Sequence, residues 1–122
     1  MSKRLLLVED TADLRVIAKM SLELGGYEVT AAGSGAEALI AVTEQEFDII
    51  LLDMMMPEID GPEVLRRMRD AKVTTPVVFF SAKARPEEIE DAMKLDVRGY
   101  ITKPFDPMGL AGQVDRHLKK AG

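Results

Sequence analysis

Ile49-Ile50-Leu51-Leu52-Asp53-Met54-Met55-Met56-Pro57-Glu58-Ile59-Asp60-Gly61 is the stretch on which the fold turns. Its four leading apolar residues are too few for a helix and read as a strand buried on both faces, as strands of a parallel sheet are. The run stops on an acid, and a Pro57/Gly61 loop follows. The same grammar recurs on either side. Leu5-Leu6-Leu7-Val8 stops at Glu9-Asp10, and Val77 to Phe80 begins after Pro76 and stops at Ser81. Tyr27, Val29 and Ala31 alternate along a strand from Tyr27 to Ala31, and Gly99-Tyr100-Ile101 predicts a short fifth strand.

Segments with helical spacing separate these runs. Asp13 to Leu24 carries Leu14, Ile17, Ala18, Ser21 and Leu22 and ends at Gly25-Gly26. Ser34-Gly35-Ala36-Glu37 is a capping box for an alanine-rich helix to about Glu44. Val64, Leu65 and Met68 share a face of a helix near Pro62 to Arg69, and Pro86 suits the first turn of one running to about Leu95. Asp106-Pro107 pairs an N-cap with a first-turn proline, predicting a last helix on which Leu110, Val114 and Leu118 align. Five strands alternating with five helices require right-handed crossovers and a parallel sheet covered on both faces. The expectation is one doubly wound α/β domain over residues 1–122, with no room for an attached effector domain.

Composition narrows the chemistry. The chain has 122 residues, a net charge of −5, 47% apolar and 30% charged residues, which is an ordinary globular balance. Without cysteine there is no disulfide framework, thiolate zinc site or cysteine nucleophile. The apolar runs fall far short of the ~20 residues that cross a bilayer, and the four before Glu9 are too short for a signal peptide, so a cytoplasmic location is expected. The acidic balance, with four Phe, two Tyr and no Trp, argues against direct nucleic-acid binding.

In doubly wound sheets ligands bind beyond the carboxyl ends of the strands. There the sequence places Glu9 and Asp10, Asp53, Ser81, and Lys103-Pro104. Two unit charges ~4 Å apart repel by about 4 kcal/mol at an effective dielectric of 20. A hard divalent cation relieves such repulsion, and Mg2+ favours one or two carboxylates plus water and phosphate oxygens. Mg2+, a lysine and a hydroxyl are also what phosphoryl transfer needs, with a carboxylate as nucleophile. Taken singly, each residue has an ordinary alternative: Asp10 as a cap for the first helix, Ser81 as a turn residue, Lys103 as a surface lysine, Tyr100 as core filling. Three acids at the ends of two parallel strands have no capping rationale. Met54-Met55-Met56 reads as packing, since thioethers suit Cu(I) and the neighbouring ligands are hard oxygens. Arg66, Arg67 and Arg69 read as a solvated helix face, and His117 as a surface residue.

Glu9-Asp10, Asp53, Ser81-Ala82, Tyr100 and Lys103-Pro104-Phe105, in this order and spacing, resemble the receiver domain of bacterial two-component response regulators, of the stand-alone, chemotaxis-receiver type. The resemblance covers essentially the whole chain, and five motifs at successive strand ends make it specific. It implies a flavodoxin-like sheet in the order 2-1-3-4-5 and an aspartyl phosphate at Asp53, taken from a histidine kinase or histidine phosphotransfer protein. Asp10, Asp53 and the backbone carbonyl of Met55 would hold Mg2+, with Mn2+ as a substitute, while Glu9 would act through water. Lys103 would pair with Asp53 and then its phosphate, Ser81 would bond a phosphate oxygen, and Tyr100 would swing inward. The peptide before Pro104 would be cis. A downstream protein would read the altered face of the last two helices and fifth strand, with the chain a monomer or a weak phosphorylation-dependent dimer. It would assist its own phosphorylation and dephosphorylation without being a turnover enzyme.

Two departures from the family pattern stand out. Met55 and Lys83 occupy the positions that modulate water attack on the phosphoaspartate, and Met55 should slow it. Leu95-Asp96 replaces the Gly-Ala pair common before the fifth strand. An aspartate-nucleophile phosphatase of the haloacid dehalogenase type would need a second Asp where Met55 stands, and a flavodoxin-like electron carrier would need a phosphate cradle where Glu9-Asp10-Thr11-Ala12-Asp13 would repel one. An unphosphorylated receiver scaffold is the remaining alternative.

Overall fold

A computed structural model describes residues 2–82 and 85–119. Lys83 lies outside the described residues. Among them the order is β1 Arg4–Val8, α1 Ala12–Leu24, β2 Glu28–Ala32, α2 Gly35–Glu44, β3 Ile49–Asp53, α3 Gly61–Asp70, β4 Val77–Ser81, α4 Pro86–Met93, β5 Gly99–Thr102 and α5 Leu110–Leu118. The strands form one parallel sheet in the order β2-β1-β3-β4-β5.

Because successive side chains of a strand leave in opposite directions, the apolar runs sort into two cores. Leu6, Val8, Ile50, Leu52, Val77 and Phe79 pack with Ala38 of α2, Val64, Leu65 and Met68 of α3 and Ala92 of α4. Leu5, Leu7, Ile49, Leu51, Val78, Phe80 and Ile101 pack with Ala18 and Leu22 of α1 and Leu110 and Val114 of α5. Each fully buried Leu or Phe contributes roughly 1.5–3 kcal/mol, so this two-sided burial is what holds β1, β3 and β4 at the centre. The chain leaves β1 to one side for β2 and returns to the other for β3. Their carboxyl ends therefore flank the point where strand order reverses, which is where such sheets open a crevice.

Local chemistry moves several expected boundaries. The last helix begins at Leu110, four residues beyond Asp106. The Asp106 carboxylate accepts from the Met108 N–H, and its carbonyl accepts from Gly109 and Leu110, which makes a turn before the helix. The fourth helix stops at Met93, two residues early, as Lys94 and Leu95 bond back to Asp91 and Ala92. Ser34 caps α2 through the Glu37 N–H, but Glu37 returns its bond to Gly33, one residue outside the box. Asp60 caps α3 through the Glu63 N–H, a cap the sequence spells as Asp60-Gly61-Pro62-Glu63.

His117 is not a surface residue. It is half-buried against Gly99, where a methyl group would come within 2.2 Å of the imidazole. Arg66 and Arg67 both bond Glu63, while Arg69 reaches across to Asp96. That last pair ties the Leu95-Asp96 turn to α3.

Candidate functional site

The alternation that sends Leu5 and Leu7 toward α1 and α5 sends Glu9 the same way. It does likewise for Asp53 after Ile49 and Leu51, and for Lys103 after Ile101. The polar groups are thus the next layer of that core. Glu9 is fully buried, and Asp53 and Ser81 nearly so. One carboxylate oxygen from each of Glu9, the partly exposed Asp10, and Asp53 lies within 4.8 Å of the others.

Lys103 reaches into this group. Its ammonium donates to Glu9 Oε1, lies 3.4 Å from Asp53 Oδ2, and sits 4.8 Å from the centre of the Phe80 ring. The lysine expected to pair with Asp53 is therefore shared, with Glu9 the nearer partner. Glu9 Oε2 accepts from the Thr11 N–H at 3.0 Å, so both oxygens of Glu9 are engaged. Asp53 Oδ1 accepts from the Met55 N–H at 3.1 Å. Burial pushes the Asp53 carboxyl up to about 7 against the pull of Lys103 and the Met55 N–H, with the Glu9 charge and a hydrogen bond with Asp10 adding to the rise.

Asp10, Asp53, Met55, Ser81, Lys103 and Pro104 all line one open cavity of about 400 Å³, together with Thr11, Leu14 and Ala82. Met55 is 57% exposed there. The Lys103–Pro104 peptide is cis, and the Lys103 N–H continues the β4–β5 ladder to the Ser81 carbonyl. Gly61 closes the loop behind the acid: a methyl group at that position would come 2.6 Å from the Asp53 carbonyl oxygen. Tyr100 stands apart from the cavity. It is half-buried against the core under α2–α4 and lines a cleft with Gln113, Arg116 and His117 of α5.

Sequence reasoning passed over Thr11, Arg15, Gly61 and Phe80. Thr11 acts through its main chain, which no side-chain pattern announces. Gly61 follows the Asp60 cap and was legible only as a loop glycine. Phe80 reads in sequence as strand core, and its ring also lies under the Lys103 ammonium. Arg15 donates to the Glu9 carbonyl at 2.8 Å, a contact visible only once α1 is placed against the end of β1.

The donor set fits a hard divalent cation: three carboxylates each bring an anionic oxygen within 4.8 Å of the others, and the open cavity beside them admits water. Among the described residues no helix is long and apolar enough to cross a membrane.

Comparison with known proteins agrees with this geometry. The model of the response regulator receiver domain matches residues 5–115. The alkaline phosphatase synthesis transcriptional regulatory protein PhoP of Bacillus subtilis is 32% identical over 99% of this chain and 50% of its own length. The response regulator SaeR of Staphylococcus aureus is 34% identical over 95% of this chain and 50% of its own. The chain thus spans about half the length of the curated relatives it matches. Among solved structures, chemotaxis response regulator CheY4 of Vibrio cholerae superposes with a TM-score of 0.89 at 28% identity, covering 96% of this chain and 99% of that one. The Francisella response regulator 1452 receiver domain does so with a TM-score of 0.89 at 30% identity, covering 98% of each. A parallel 2-1-3-4-5 sheet with three acids at its switch point, matched along nearly its whole length by these proteins, belongs to the receiver-domain family of two-component response regulators.

Proposed function

We propose that Asp53 is the phosphoacceptor of a two-component signalling step, and that Asp10, Asp53 and the Met55 carbonyl gather Mg2+ beside it. One observation carries this: the Glu9, Asp10 and Asp53 oxygens crowd within 4.8 Å of one another, and Asp10 and Asp53 line an open cavity together with Lys103 and Ser81. Like charges at that spacing repel by about 3 kcal/mol at an effective dielectric of 20. A cation and a phosphoryl group together satisfy all of these side chains.

An Asp53 oxygen attacks the phosphorus of a phosphohistidine on a histidine kinase or histidine phosphotransfer protein. The new P–O bond forms as the P–N bond breaks, and the imidazole leaves with the electron pair. Mg2+, or Mn2+ in its place, held by Asp10, Asp53 and the Met55 carbonyl, would supply neutralising charge for the transferred phosphoryl group. Glu9 acts through water, since Lys103 and the Thr11 N–H already occupy its oxygens. Lys103 turns from the carboxylates to a phosphoryl oxygen, and the Ser81 hydroxyl donates to another. The exposed Met55 thioether orients no water, which favours a long-lived acyl phosphate.

On α1, Val16, Met20 and Leu24 leave an exposed apolar stripe at four-residue spacing, a face suited to helices of the phosphodonor. Movement of Ser81 toward the phosphate draws Tyr100 inward and remodels the α4–β5–α5 face for a downstream protein. The net charge of −5 favours protein partners over nucleic acid at this domain.

The test is incubation with Mg2+ and phosphoramidate followed by intact-mass measurement. One added phosphoryl group in the parent and none in Asp53→Asn is expected. No mass change in the parent would overturn the proposal.

A further inference from the structure

The geometry points to Arg15 as a positioning residue that sets the two acids of the β1–α1 turn for cation binding; we propose this role as a refinement resting on the function above. The β1–β2 ladder ends at the Val8–Ala32 pair, with one further bond from the Glu9 N–H to the Ala32 carbonyl. Past that point the carbonyls of Glu9 and Asp10 have left the sheet and need another donor. Arg15 supplies it. Helical side chains lean toward the N-terminus of their helix, so Arg15, in the second turn of α1, reaches back over the turn it follows. Its Nη1 donates to the Glu9 carbonyl at 2.8 Å and stands 3.5 Å from the Asp10 carbonyl.

The guanidinium is held from the other side as well. It packs beside Gly33, where a methyl group would come 3.1 Å from Nη1 and 3.4 Å from Cζ. One side chain therefore joins the ends of β1 and β2 at the residues that carry two of the three acids. With those carbonyls pinned, the Glu9 side chain is directed at Lys103 and the Asp10 carboxylate at Asp53.

Electrostatics and positioning make opposite forecasts, which makes the role testable. Removing a cation near an acidic cluster raises its negative potential and, on charge alone, tightens divalent-cation binding. Losing a group that orients ligands weakens metal affinity, typically 10–100-fold. The measurement is Mn2+ binding followed by loss of the free-ion electron paramagnetic resonance signal, which needs no phosphoryl transfer. Arg15→Met, which keeps the apolar stem, should bind Mn2+ about tenfold more weakly. Arg15→Lys, which restores the charge and a single donor, should recover part of the loss. Gly33→Ala, which displaces the guanidinium without changing any charge, should weaken binding in the same direction by less. Phosphorylation by phosphoramidate should show a raised half-saturating Mg2+ concentration in Arg15→Met, with the rate at saturating Mg2+ little changed. Unchanged or tighter Mn2+ binding in Arg15→Met would overturn the proposal while leaving the Asp53 assignment intact. A parent chain that bound no Mn2+ would overturn the cation site itself, and the positioning role with it.

Discussion

Asp53→Asn should make the cation-free chain more stable at neutral pH while abolishing phosphoryl uptake. Asp53 is almost fully buried, beside Glu9 and hydrogen-bonded with Asp10, and its carboxyl is pushed from 3.8 up to about 7, chiefly by burial. Below pH 4 both the folded and the unfolded chain carry its proton. Between pH 4 and 7 the unfolded chain gives the proton up and the folded chain keeps it, so stability falls as pH rises and levels off above 7. The full displacement corresponds to ~4 kcal/mol. The cavity is open to water and salt, and screening there reduces the expectation to about 2 kcal/mol. Asparagine keeps an oxygen for the Met55 N–H and carries no charge at any of these pH values. Urea unfolding in EDTA should therefore show a gap in favour of Asp53→Asn that grows from near zero at pH 4 to about 2 kcal/mol at pH 8. Mg2+ should then stabilise the parent at pH 8 and narrow the gap, since a ligand of the native state shifts unfolding by mass action. Equal stabilities at pH 8 in EDTA, or a gap that does not change with pH, would refute the idea that burying the charged Asp53 carboxylate strains this site.

Gly61→Ala should cost about 1–3 kcal/mol in urea unfolding, because its methyl group would meet main-chain atoms of Asp53 and Met54 at 2.6 and 2.8 Å, and backbone yields less readily than a side-chain tip. A loss under 0.5 kcal/mol would show that the loop relaxes freely. Tyr27→Phe removes the hydroxyl that donates to Asp115 of α5 and should cost about 1 kcal/mol at pH 8. Burial, then the Asp115 bond, raise the Tyr27 pKa above its ordinary value, so the parent's advantage is complete below pH 10 and shrinks above it as the unfolded phenol ionises first. Melts from pH 8 to 11 with a constant difference would contradict this. Met55→Asn places an amide that can orient water on the cavity wall, and a variant phosphorylated and then freed of donor should lose its phosphoryl group several-fold faster by intact mass. Decay no faster than the parent would remove Met55 from the control of phosphate lifetime.

The fold was legible because apolar runs four residues long, each ending in a polar group, leave few alternatives to a parallel sheet. Leu5 to Val8 and Ile49 to Leu52 fall where expected, and all four residues of each run are buried. Boundaries governed by side chains bonding to nearby backbone were less so. Asp106 looks like a helix cap in sequence, yet its carboxylate turns to Met108 and delays the helix to Leu110. His117 looked solvated because nothing nearby in the chain reveals that Gly99, on another element, leaves it a niche. Glu9, Asp10, Asp53, Ser81 and Lys103 could be listed from strand ends alone. Who bonds whom could not, because Lys103 follows β5 and must choose by position in space between an acid just past β1 and one that ends β3.

That choice has a chemical consequence. A buried carboxylate whose oxygens are both bonded is stabilised as an anion and is a poor nucleophile, since attack must first break those bonds. Glu9 is in that condition, held by Lys103 and the Thr11 N–H. Asp53 has one N–H at 3.1 Å and an ammonium at 3.4 Å, long for a charge-assisted bond, and it faces the open cavity. Strand alternation sends both acids to the same side of the sheet, but Glu9 sits where the β1–α1 turn doubles back and supplies donors, while Asp53 sits where the chain leaves in a loop. The fold thus bonds both oxygens of Glu9 closely and holds Asp53 through longer contacts, with Asp10 beside it. Under the proposed phosphoryl transfer, the ammonium over Phe80 is near enough to turn from Glu9 to a phosphoryl group on Asp53. Burying these charges contributes little to stability, as buried ion pairs generally do; what the arrangement secures is an unequal pair of carboxylates, of which Asp53, the more loosely held, is the one we propose reacts.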